Sequence, residues 1–155
     1  MTIQMRLVVA IELAERRRDE AGRALADTLR RHDRATGQMA QLQSYAADTQ
    51  DRWSVASQVQ TTPQIVGHYY QFMERLEQTI ALQRGVIDDV QRQCQAARQR
   101  LLDADVHLAG LQRLLDKRRS EQARLVARRE QRQTDEFAAR VCTVAVARVS
   151  YQDNA

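Results

Sequence analysis

One proline (Pro63), five glycines and a single asparagine (Asn154) are all the dedicated turn material in this chain of 155 residues. That is too little to punctuate a compact fold built from many short elements. Aromatic residues make up only 5%, so no large aromatic-centred core is on offer. The two cysteines, Cys94 and Cys142, show no metal-ligand spacing, which leaves them as buried or incidental thiols and fits a reducing cytoplasm. Near the start the longest unbroken apolar stretch is Leu7 to Ile11. It is too short for a signal-peptide core or a membrane span, so a soluble protein without membrane insertion is expected.

What the chain has in abundance is Ala, Arg, Gln and Leu, all good helix formers, with 28% charged residues. A 4,3 spacing selects one stripe from Leu7 to Trp53: Leu7, Ile11, Ala14, Arg18, Ala21, Leu25, Thr28, His32, Ala35, Met39, Leu42, Ala46, Thr49 and Trp53. A second runs Tyr69, Met73, Leu76, Ile80, Gln83, Ile87, Val90, Cys94, Ala97, Leu101, Ala104, Leu108, Leu111 and Leu115, with only Gln83 plainly polar. Between them lies Thr61-Thr62-Pro63-Gln64. There a threonine can cap the next helix, the proline suits its first turn, and Thr61 with Gln64 matches a capping box.

Reversing the chain at that point sets Trp53 opposite Tyr69 and carries the pairing on to Leu7 opposite Leu115. Volumes then complement one another: Ala21 meets Leu101, Leu25 meets Ala97, Ala35 meets Ile87 and Ala46 meets Leu76. Arg18 and His32 are expected to lay their stems along the seam with their polar ends in water. The fold class expected is all-α: one domain, a long antiparallel two-helix coiled-coil hairpin with the second helix overhanging the first. Helix one covers about residues 4–57, the turn 58–62 and helix two 63–140; 141–155, with its β-branched stretch Val141 to Val149, is expected to be a frayed tail or a short segment that orders on a partner. Gly37 and Gly85 fall side by side in this register and mark an expected weak or bent point, since each costs about 1 kcal/mol relative to alanine.

The apolar stripe stops at Leu115 and gives way to Arg118, Gln122, Leu125, Arg129, Arg132 and Glu136. Basic residues concentrate from Asp116 to Arg132, where the local excess accounts for the whole net charge of +4. The basic segment holds no asparagine for bidentate adenine readout and follows the coiled coil, so specific nucleic-acid recognition is not expected. Non-specific phosphate binding and a purely structural adaptor remain as alternatives. No glycine-rich phosphate loop or nucleophile elbow is present, and His32, His68 and His107 pair with no carboxylate or cysteine at ligand spacing. The reading is of a protein-binding chain, not an enzyme, with no catalytic residues, no metal and no cofactor.

Three segments carry a family resemblance: Leu13-Ala14-Glu15-Arg16 with Asp19-Glu20-Ala21; Tyr69-Tyr70-Gln71-Phe72-Met73 with Leu76-Glu77 and Ile80; and Asp135-Glu136-Phe137-Ala138-Ala139-Arg140. In order and spacing they resemble the FliJ family of flagellar type III export proteins, over roughly Leu7 to Arg140; virulence-secretion counterparts share the architecture. The resemblance implies a central-stalk-like component that enters the hexameric export ATPase, contacts the cytoplasmic part of the export gate and cycles export chaperones. It also implies a place in the cytoplasm, peripheral to the inner face of the cell membrane at the flagellar base. The gate-binding patch of the family maps to Phe72, Leu76, Thr79 and Gln83, of which Thr79 and Gln83 depart toward polarity. If the overhang enters the ATPase as the resemblance implies, Arg124, Arg128 and Arg132, spaced along one helix face, are the residues expected to contact it.

Overall fold

The structure is a computed structural model that describes residues 2–152. Two long helices, α1 (Ile3–Ala56) and α2 (Pro63–Gln152), account for nearly all of it. They pack against each other, and no strand occurs among the described residues. The expected all-α hairpin is therefore the fold. By contacts the chain divides into two units, Ala14–His107 and Met1–Leu13 with Leu108–Ala155.

In the first unit, both helices bury the stripes read from the sequence. Every stripe position from Ala14 to Trp53, and from Tyr69 to Ala104, is buried or half-buried. The most deeply covered are Ala14, Ala35, Cys94 and Ala97, small side chains that let the helices approach closely. Burial of these faces, more than intrinsic propensity, supplies most of the stability of the helices. Two polar seam residues are satisfied locally. Thr28 is buried, and its hydroxyl donates to the Leu25 carbonyl at 2.8 Å. Gln83 reaches across the seam, its amide donating to the Ala35 carbonyl at 2.8 Å and to Gln38 Oε1 at 3.2 Å. Arg18 keeps its guanidinium at the edge, hydrogen-bonded to Asp19 at 2.9 Å, and that partner raises its pKa further above an already high value.

The turn between the helices is short. At the end of α1 the bonds tighten, with Gln58 N–H donating to the Val55 carbonyl and Val59 N–H to Ala56. At the start of α2, Thr62 is the cap. Its hydroxyl accepts from the Ile65 N–H at 3.4 Å and its carbonyl from the Val66 N–H at 3.1 Å. The expected Thr61–Gln64 box is thus replaced by a single cap one residue later. Pro63 at the first helical position fixes the frame, and the residue three beyond Thr62 is Ile65, which has no side-chain acceptor to return the bond.

α1 and α2 run uninterrupted through Gly37 and Gly85, and a Cβ added at either would meet nothing within 4 Å. Neither glycine breaks its helix, because the seam on either side holds the backbone.

In the second unit, the stripe residues Leu7 and Ile11 of α1 and Leu111 of α2 are half-buried, and Leu108 and Leu115 of α2 are buried. Thr2 caps α1, its hydroxyl accepting from the Met5 N–H at 3.4 Å. A hydrogen bond from Gln4 of α1 to Gln122 of α2 joins the two helices of this unit near the start of α1. Every described residue of α2 past Arg118 is exposed. The expected overhang is present, but the expected frayed tail is not: α2 continues as helix through Gln152, and 153–155 lie outside the described residues. β-branched residues cost a helix only a few tenths of a kcal/mol each, and extending an existing helix avoids the unfavourable nucleation step.

Candidate functional site

The residues expected to face partners fall in two groups, one in each unit. In the unit Ala14–His107, Phe72 stands one position before the seam residue Met73, at the flank of the coiled coil. It is 39% exposed. Its ring meets Tyr45 edge to face, centroids 6.0 Å apart and planes at 80°, a favoured arrangement of two aromatic quadrupoles. Tyr45 is itself exposed. The two rings make one aromatic patch on the outside of the seam, and Gln38, Gln41, Leu42 and Gln83 line a groove against Tyr45.

The other three residues of this group sit differently. Leu76 is buried to 8% and packs in the seam behind the patch. Thr79 is exposed, on the same flank as Phe72, with its hydroxyl donating to the Arg75 carbonyl at 2.9 Å, so it can still offer a partner its methyl and the acceptor side of its oxygen. Gln83 is half-buried and has committed its amide to Ala35 and Gln38. Phe72 and Thr79 are thus on one flank, while Leu76 and Gln83 support it from within. Sequence reasoning missed Tyr45. The signal was available: Tyr45 precedes Ala46 as Phe72 precedes Met73, and in an antiparallel coiled coil the positions just before the 4,3,4 start of each heptad face one another.

In the other unit, Arg124, Arg128 and Arg132 lie on the uncovered part of α2, four residues apart, and all three are exposed. The ion pairs among the described residues are Arg18–Asp19, Arg30–Asp27 and Arg92–Asp89, so none engages these three. Like charges at this spacing repel one another by a few tenths of a kcal/mol. Each guanidinium retains its full set of donors for an acidic or carbonyl-rich surface.

Among the described residues, no three His, Cys, Asp or Glu side chains gather as a metal site. Cys94 is buried in the seam, and Cys142 is exposed on the overhang. No described helix is long and apolar enough to cross a membrane.

The model of one protein family, the flagellar FliJ protein, matches residues 3–145. Among curated proteins and solved structures, no significant match to the chain is found.

Proposed function

Because the chain belongs to the FliJ family of flagellar proteins, which gives it a role associated with flagellar protein export, we propose that it binds the export ATPase hexamer in the manner of a central stalk and couples it to the cytoplasmic part of the export gate. The ATPase surface is the exposed basic face of α2 carrying Arg124, Arg128 and Arg132. The gate surface is the flank carrying Phe72 and Thr79, backed by Leu76 and Gln83. Export chaperones are further partners in this reading, and the protein acts from the cytoplasm, docked peripherally at the membrane through the gate. It contributes no catalytic group of its own and needs no cofactor. That the match is to the flagellar family favours this system over its virulence-secretion counterpart.

The observation that carries the reading is the uncovered length of α2 beyond Gln122. A helix without a burying partner gains no stability from packing, its unpaired arginines repel one another, and a partner surface supplies what the chain itself does not. Arginine contacts with acidic loops also steer association, and they weaken as salt rises.

The test is binding of the purified chain to the purified ATPase, at low and at high salt, beside duplex DNA of mixed sequence. Saturable, salt-sensitive binding to the ATPase together with stimulation of its hydrolysis is the expected result. Binding to DNA alone, with no effect on the ATPase, overturns the proposal.

A further inference from the structure

The overhang has a second face. On the same stretch of α2, a 4,3 spacing runs through Ala127, Glu130, Thr134, Phe137, Val141, Val144, Arg148 and Tyr151, all of them exposed. Phe137 is 70% exposed and Tyr151 85%. This row lies roughly on the opposite side of the helix from Arg124, Arg128 and Arg132 at 100° per residue. It also does not continue the hairpin seam, whose own register would place Gln122, Arg129, Arg132 and Glu136 inward.

The row is complementary to itself when reversed. With Phe137 of one copy set against Val141 of the other, Thr134 meets Val144, Glu130 meets Arg148, and Ala127 meets Tyr151, and the two-fold axis repeats every pair. The smallest side chain opposes the largest ring, and the one acid in the row opposes the one base. Thr134 donates its hydroxyl to the Glu130 carbonyl at 2.9 Å, so that proton needs no partner in the interface. A parallel in-register pair would instead stack Glu130 on Glu130 and Arg148 on Arg148, which disfavours it on charge. The cost of the antiparallel pair is Arg140, which flanks the axis and meets its own copy there; its long side chain can swing out to water.

The row also offers apolar area on the scale a dimer needs. At about 200 Å² for a whole aromatic side chain, the two rings alone leave roughly 300 Å² per copy uncovered. With Val141 and Val144, 52% and 56% exposed, the apolar area that two copies offer each other is at most about 1,000 Å², the scale at which specific interfaces begin. We propose that this face is an antiparallel homodimer interface, and that a second copy of the chain covers the apolar side of the overhang in solution. The proposal does not rest on the ATPase reading, because the arginines stay exposed on the other side.

The test is sedimentation equilibrium of the full chain and its variants from about 1 to 200 μM. A monomer–dimer equilibrium is expected for the wild type, with Val144→Asp monomeric throughout and α-helix content by circular dichroism unchanged. Glu130→Arg alone and Arg148→Glu alone should each weaken dimerisation about tenfold or more, since each creates two like-charge pairs. The double variant E130R/R148E should recover dimerisation to within about threefold of wild type. A wild type that stays monomeric, a Val144→Asp variant that still dimerises, or a double variant no better than the singles would each overturn the proposal.

Discussion

Trp53 and Tyr69 stack face to face, ring centroids 4.3 Å apart and planes within 6° of parallel, at the last layer of the seam before the chain reverses. They come from different helices, so the stack ties the end of α1 to the start of α2 and closes the turn. Replacing either ring with alanine should lower the urea midpoint. A double-mutant cycle should yield a coupling of about 0.5 to 1.5 kcal/mol beyond the single losses. A coupling near zero would mean that the rings are neighbours without being partners.

The same register sets Ala21 against Leu101. In a chain with Cys94 and Cys142 replaced, cysteines introduced at Ala21 and Leu101 should form a disulfide within single chains, seen on non-reducing gels at low protein concentration. Only intermolecular crosslinks would point to a parallel or swapped pairing. The overhang dimer lies elsewhere and would leave this result unchanged.

Phe72 and Leu76 are one turn apart on α2, yet one lies at the flank and the other in the seam. Leu76→Ala removes a buried side chain and should cost about 2 to 3 kcal/mol in stability. Phe72→Ala removes a ring that is partly in water and should cost about 1 kcal/mol, mostly through its contact with Tyr45. If the flank is the gate surface, Phe72→Ala should nevertheless weaken gate binding by tenfold or more, with thermal melting shifted by only a few degrees. Equal losses of melting temperature and binding would assign Phe72 to packing alone.

Much of this was legible in the chain itself because a coiled coil repeats its rule. Each stripe position is a separate vote for the same period, so the register from Ala14 to Ala104 and the loss of the apolar stripe after Leu115 emerge from residue types alone. Features decided by one or two residues were harder to read. Thr61 and Thr62 both suit a helix cap, and only the placement of Pro63 at the first helical position selects Thr62. The valines of 141–149 argue against helix one at a time, but an established helix overrides such small penalties. Gln83 looked like a defect in the stripe until its amide found the Ala35 carbonyl. The Tyr45–Phe72 patch was missed because a stripe search looks inward, whereas partner surfaces lie on the flanks, where one chain's pattern does not reveal its complement.

Gly37 and Gly85 give the helices conformational freedom without any packing reason, as an added Cβ at either meets nothing. Gly37→Ala and Gly85→Ala should each stabilise the protein by about 0.5 to 1 kcal/mol, raising the urea midpoint, and together by nearly the sum. Loss of export function in such a stabilised double variant would show that the freedom itself is used.

The most direct test of the functional account is the binding of the full chain carrying R124E, R128E and R132E to the export ATPase. These side chains are exposed and make no ion pair among the described residues, so the variant should keep its helix content and its hairpin melting. Charge reversal should abolish binding to the ATPase and stimulation of its hydrolysis, while binding to the gate through the Phe72 flank persists. Undiminished ATPase binding by the folded triple variant would contradict the account and leave the basic face of α2 as a solvated surface.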